Sequence, residues 1–284
     1  MELGLWTGFC LLHEQHPLED AFSILHRCDW KVCELDERNA YSWFVAAKCL
    51  DDSITRYRNL SGDVKTTQMH APYPLSDINA QIKVIETLAK VSEAIGAHVI
   101  VIHPYRGAAA IPDGLSLQAY RDQLIRQTIS MLSSATQIAS RYGIAIALEN
   151  QIDLEFDCGR YVGTLPADLE RLLDSVNDLG LAIDTAHACA QQLDVSELIR
   201  WASSRLYGLH VSDSDGLKHD YHIMPTRGII DWHKVLLALR DIGYKGDFHL
   251  EIVHERHQCL PDSLAKAREA KSIMDNLMKE ASLK

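Results

Sequence analysis

The chain has 284 residues, 47% of them hydrophobic and 24% charged, which is ample apolar material for one large core. A formal net charge of −11 excludes a general polyanion binder, because neutralising phosphates needs clustered Lys and Arg, although a local basic groove stays open. No run of about 18 apolar residues occurs, which excludes a membrane-spanning helix.

The N-terminal Met1-Glu2-Leu3-Gly4-Leu5-Trp6 lacks the basic start and small-residue cleavage site of a secretory leader, so a cytoplasmic location is expected. Its apolar part, Leu3–Trp6, reads as a first strand. Further short apolar runs follow at Val32–Leu35, 67–69, Val99–Ile102, 144–148, 181–183, 206–209 and 248–252. Between them lie helix-patterned stretches. Ser76 or Asp77 caps the stretch 80–95, where Ile82, Ile85, Leu88, Ala89, Ser92 and Ile95 keep near-helical spacing and Gly96 ends it. The stretch 117–142 is long and closed by Gly143; 194–204 and 231–242 are shorter, with Gly243 after the second.

Strand and helix therefore alternate eight times, as parallel strands with right-handed crossovers require. A single (β/α)₈ TIM barrel domain over 1–284 is expected, with an open doubly wound sheet as the alternative. Neither G-x-G-x-x-G, a Walker loop nor G-x-S-x-G is present. The seven cysteines (Cys10, Cys28, Cys33, Cys49, Cys158, Cys189 and Cys259) are scattered and never spaced C-x-x-C, which fits reduced thiols rather than disulfides or a thiolate zinc site. Any metal must then be held by imidazole and carboxylate. Trp6, Trp43 and Trp232 are core or mouth residues.

In such barrels chemistry collects at the C-terminal strand ends. Those ends read His70, His103-Pro104, Glu149-Asn150, Asp184-x-x-His187, His210 and Glu251, with Asp220-x-His222 in the loop beyond the seventh strand. A lone strand-end His is more often a hydrogen-bonded structural residue, and a lone Glu a solvated one. Histidine is only 14 residues of the chain, however, and carboxylates converging in one mouth repel each other unless a cation neutralises them.

On these residues, together with His70-Ala71-Pro72-Tyr73, Ile230-Asp231-Trp232 and Leu250-Glu251, the chain resembles the xylose isomerase-like barrel superfamily over nearly its whole length. That superfamily includes sugar phosphate isomerases and epimerases and the endonuclease IV type of apurinic-site (AP) endonuclease. The epimerase branch implies one Mn²⁺ or related ion on Glu149, Asp184, His210 and Glu251, with Glu149 and Glu251 also exchanging the substrate proton. It makes His187 and Arg227 the candidates for substrate oxygens, Arg227 for a phosphate. The nuclease branch implies three zinc ions on His70, His103, Glu149, Asp184, His187, His210, Asp220, His222 and Glu251. The chain departs from that branch where Glu149-Asn150 runs on as Gln151-Ile152-Asp153-Leu154-Glu155-Phe156-Asp157, an acidic loop with Arg160 as its one cation. It departs again at Thr226-Arg227-Gly228 and at Pro74-Leu75-Ser76-Asp77; Tyr73 is placed to stack or wedge.

The expectation is therefore a divalent-metal-dependent (Zn²⁺ or Mn²⁺, one to three ions) isomerase or epimerase of a small sugar or sugar-like substrate. A zinc phosphodiesterase or AP endonuclease is the alternative, and a non-enzymatic binding scaffold the third reading. Nucleic acid and membrane are not expected partners; a homodimer is.

Overall fold

Eight parallel strands hydrogen-bond to one another in chain order: β1 (Leu3–Trp6), β2 (Val32–Leu35), β3 (Lys65–His70), β4 (Val99–Ile102), β5 (Ala145–Glu149), β6 (Leu179–Asp184), β7 (Leu206–Val211) and β8 (Phe248–Leu250). The last pairs back onto the first, Leu5 against Leu250, so the sheet is a closed barrel and not an open one. In this computed structural model the chain is described over residues 1–10, 18–106, 111–153, 160–253 and 260–281. The helices of the outer ring are α1 (Leu18–Arg27), α2 (Glu37–Ala40), α3 (Leu50–Ser61), α4 (Ile78–Ile95), α5 (Leu117–Ser140), α6 (Pro166–Ser175), α7 (Thr185–Ala190), α8 (Val195–Ala202), α9 (Trp232–Asp241) and α10 (Leu260–Glu280).

Local chemistry explains the boundaries. Asp77, not Ser76, caps α4 by accepting the Asn79 N–H at 2.9 Å, and Gly96 ends it in the left-handed region at φ 90°. Asp194 and Asp231 cap α8 and α9 through their carboxylates. Helix α5 stops at Ser140, two residues before the expected end at 142. Strand β3 runs from Lys65 to His70, longer than the apolar run 67–69, because Thr and Gln fit a half-polar inner wall. Strand β8 ends at Leu250, short of 252. Sequence reasoning passed over α1, although Leu18, Ala21, Phe22 and Leu25 are buried at helical spacing. It also passed over α7, whose six residues are too few for a periodic pattern.

Period-two alternation divides each strand between two cores. Ile100, Ile102, Ile146, Leu148, Leu181 and Ile183 face the helices and join the main core, while Val101, Ala147 and Ala182 form a small cluster of their own inside the barrel. Continuing the inner face by two residues gives His103 after Val101, Glu149 after Ala147 and Asp184 after Ala182. The ligand candidates thus stand at the top of the inner wall by the same alternation that fills it. Trp6 and Trp232 are buried and Trp43 half-buried. Cys28, Cys33, Cys49 and Cys189 are free thiols; Cys158 and Cys259 fall outside the described residues. Among the described residues no helix is long and apolar enough to cross a membrane.

The inner wall has no slack where β1 meets β8. A Cβ on Gly4 would stand 2.7 Å from Cδ2 of the buried His249 and 3.1 Å from Cγ1 of Val32. Gly4→Ala should therefore destabilise the barrel by about 1–3 kcal/mol, read in denaturant unfolding. An unchanged unfolding midpoint would contradict this packing.

Candidate metal centre

His70 closes β3, His103 follows β4, Glu149 closes β5, Asp184 closes β6, His210 lies in β7 and Glu251 follows β8. His187 projects from α7, and the β7–α9 loop brings Asp220 and His222. Seven of these nine residues are buried; Glu251 is partly buried and Asp220 half-exposed. Register places them side by side, Asp184 pairing with His210 across β6–β7.

Their donor atoms gather into three overlapping groups, each with its atoms within 4.8 Å of one another: His70, His103 and Glu149; Glu149, Asp184, His210 and Glu251; and Asp184, His187 and His222. Glu149 and Asp184 each belong to two groups. Glu149 Oε2 takes His103 Nε2 at 2.5 Å and His70 Nε2 at 3.1 Å, while its Oε1 takes His210 Nδ1 at 3.1 Å. Asp184 uses Oδ1 to accept the His187 N–H at 2.8 Å as the cap of α7. That leaves Oδ2, buried and without a hydrogen bond, aimed into the cluster 3.7 Å from His222 Nδ1. Asp220 Oδ1 joins His187 Nε2 at 3.2 Å to His222 Nε2 at 3.0 Å.

The electrostatics show how much negative charge has been concentrated. Burial alone would raise the Glu149 carboxyl, but His103 and His210 overcome it and hold the group far below the usual range. Burial opposes charging of His70 and His222, yet the carboxylates prevail and lift them to about 10 and about 9. His187 and His210 are raised in the same way, by Asp184 and by Glu34 respectively. Glu251 falls to about 2 against its burial, through His210 and His222. Asp184 goes the other way, because burial wins there. Imidazolium charge thus balances the buried carboxylates. A divalent ion fits the same place: the donor set mixes imidazole nitrogen with carboxylate oxygen, and Asp184 Oδ2 is buried without a hydrogen bond.

Several contributing residues escaped the sequence reading. Glu34, fully buried in β2, accepts from His210 Nε2 at 2.9 Å and so fixes that ring with Nδ1 towards Glu149 and Glu251. An acidic residue inside the apolar run Val32–Leu35 was the available signal. Asn150 ties β5 to β6, accepting from Asp184 N at 2.7 Å and donating to Asp184 O at 3.1 Å. Tyr73, which the sequence marks out to stack or wedge, stacks on His103, ring centroids 4.2 Å apart, with nearly half its surface exposed. Arg227 is not brought into the cluster; its guanidinium pairs with Glu269 of α10. Of the acidic loop, Leu154, Glu155, Phe156 and Asp157 lie outside the described residues.

The xylose isomerase-like TIM barrel family matches residues 58–277. The chain is 30% identical over 92 residues to D-psicose 3-epimerase of Enterocloster bolteae, covering 31% of this chain and 29% of that protein. It is 23% identical over 163 residues to inosose isomerase of Halalkalibacterium halodurans, covering 52% and 53%. These two matches therefore span less than two thirds of those relatives' own length. Among solved structures, the IOLI protein with a bound zinc atom superposes with a TM-score of 0.75 at 17% identity, over 98% of this chain and 99% of that one. At that identity the likeness shows the barrel fold.

The raised histidines set a pH dependence for the metal-free protein. A group with a folded value above its unfolded value of about 6.5 stabilises fully below that pH and loses its contribution as pH rises through the folded value. With His222 at about 9 and His70 at about 10, stability of the metal-free protein should decline from about pH 7 towards pH 10. Urea unfolding across that range checks it; a flat profile would contradict the imidazolium pairing.

Proposed function

The chain belongs to the xylose isomerase-like TIM barrel family, and from that premise we propose that it is a divalent-metal-dependent isomerase or epimerase of a small sugar or sugar-like polyol, working as one barrel domain over 1–284. The observation that carries this reading is the quartet of Glu149, Asp184, His210 and Glu251, contributed by the ends of four successive strands with donor atoms within 4.8 Å. Zn²⁺ or Mn²⁺ suits that mixture of one imidazole and three carboxylates. When bound, the ion supplies Lewis acidity, drawing negative charge onto a substrate carbonyl and neighbouring hydroxyl as a proton leaves the adjacent carbon.

The proton itself is handled by Glu149 and Glu251. Both carboxylates approach the same atom, His210 Nδ1, at 3.1 and 3.0 Å, so they flank one point of the mouth. One carboxylate removes the proton from a carbon held between them, and the other returns a proton. Return from the opposite face inverts that carbon, an epimerisation; return to the former carbonyl carbon, with the hydroxyl proton passing to the former carbonyl oxygen, moves the carbonyl, an isomerisation. Burial of Glu149 and the partial burial of Glu251 limit water at the exchange. Asp184 and His210 act as ligands, and His187 is the candidate for a substrate oxygen. Arg227 could hold a phosphate only by leaving Glu269.

The relatives named D-psicose 3-epimerase and inosose isomerase support this reading. A specific observation favours a second one: His70, His103, His187, Asp220 and His222 gather around the quartet, which makes up the nine positions of the multinuclear zinc resemblance.

Metal analysis of protein purified without chelator separates the two, with one exchangeable ion expected and two or three tightly held zinc ions favouring the hydrolase. An abasic-site duplex should survive incubation uncut, and its cleavage at low enzyme concentration would overturn the isomerase reading. Glu149→Gln should lower turnover by a factor of about 100 or more while the fold is kept; near-normal turnover would remove Glu149 from the proton transfer.

A further inference from the structure

The connection from β7 to α9, residues 212–231, carries Asp220 and His222 with one short strand-like contact of its own, the antiparallel bridge between Asp213 and Ile223. Its two hydrogen bonds are 2.8 and 2.9 Å long, and Ile223 directly follows His222. Besides that bridge and the Ile229 N–H donated to Ser214 O at 2.9 Å, one side chain gathers the loop. The Asp213 carboxylate is fully buried, and its two oxygens accept four N–H groups. Oδ1 takes Ser214 N at 2.9 Å and Ile230 N at 3.0 Å; Oδ2 takes Thr226 N at 3.0 Å and Trp232 Nε1 at 2.8 Å. These donors come from the start of the loop, its far limb and the first residue of α9.

The loop is moulded to this carboxylate. Thr226 sits at φ 73°, a strained conformation for a β-branched residue, and its N–H points at Oδ2. A Cβ on Gly228 would stand 2.3 Å from Asp213 Oδ1 and 2.3 Å from Ser214 O, so only glycine allows the approach. Beyond the bridge, His222 Nδ1 lies 3.1 Å from both Ser212 Oγ and the Glu251 carbonyl, which turns Nε2 towards Asp220.

We propose that Asp213 is the positioning residue that clamps the Asp220–His222 arm over Asp184 and His187, and so decides whether that third group of ligands can hold a divalent ion. The metal part of this rests on the second, multinuclear reading in the preceding section. Only a carboxylate can serve. It offers about four acceptor sites and no donor, whereas an amide in the same place would aim its own N–H₂ at two of the four N–H groups whichever way it turned. Each such buried donor left without an acceptor weakens the clamp. Asp213 itself belongs to none of the three ligand groups. Its loss should therefore loosen one group and spare the quartet.

The test is calorimetric titration of Zn²⁺ into metal-free wild type, Asp213→Asn and Trp232→Phe, with amide hydrogen exchange on the same proteins. Asp213→Asn should weaken one class of zinc site by about 10–100-fold while the tightest class keeps its affinity. Exchange should quicken over 214–230 and stay unchanged in the barrel strands. Trp232→Phe keeps the carboxylate and removes one donor, so the same site should weaken by a smaller, several-fold factor; it decides the matter if Asp213→Asn does not fold. Where the wild type holds more than one zinc, wild-type zinc binding in the variant that is read would overturn the proposal, as would uniform weakening of every site. A wild type that takes up no zinc, or zinc at a single site that Asp213→Asn leaves unchanged, would remove the third ion site instead. Quickened exchange confined to 214–230 in Asp213→Asn would then still support the clamp, and unchanged exchange would overturn it.

Discussion

Glu149, Asp184 and Glu251 are drawn into one mouth that water scarcely reaches, and everything else in the site answers to that crowding. Ionised carboxylates are not buried together without positive charge beside them. The chain surrounds them with His70, His103, His187, His210 and His222, donors that could hold a divalent ion; in its absence the carboxylates favour protons on all but His103, whose burial opposes one. The two states are alternatives, because an imidazolium nitrogen has no lone pair for a metal. The same residues thus keep the protein electrically tolerable and could hold a divalent ion.

The barrel delivers this cluster through plain strand alternation. Below the mouth the inner wall is made of small or apolar residues, Val101, Ala147 and Ala182, and two residues further up the same faces carry His103, Glu149 and Asp184. Much of this was legible in the sequence because parallel strands buried on both faces give continuous apolar runs, and the first polar residue after each run marks the top of the wall. The six strand-end candidates, His70, His103, Glu149, Asp184, His210 and Glu251, come together for that reason, while His187 arrives on α7 and Asp220 and His222 on the β7–α9 loop. Boundaries were less legible where the inner wall is itself polar, as at Lys65–His70, since the apolar run there understates the strand.

What the sequence did not disclose are the residues that hold the ligands rather than join them. Glu34 sits among apolar neighbours in β2 and meets His210 from the far side of the barrel, a contact created by closure alone. Asn150 looks like a loop residue but pins Asp184 through two backbone hydrogen bonds. Asp213 reads as one more acidic residue in a polar loop, yet it is fully buried and organises that loop. Arg227 shows the converse: a loop cation plausible from its neighbours, it turns to Glu269 on α10. Such pairings join segments far apart in the chain, and no local pattern announces them.

The central claim is that buried imidazolium groups occupy the electrostatic role of a divalent ion and must yield their protons when one binds. Calorimetric titration of Zn²⁺ or Mn²⁺ into the metal-free protein, at about pH 7 in buffers of different ionisation enthalpy, tests this directly. The account predicts that the observed heat changes with the buffer, in the sense of protons released as the ion is taken up. Binding whose heat is the same in every buffer would contradict it.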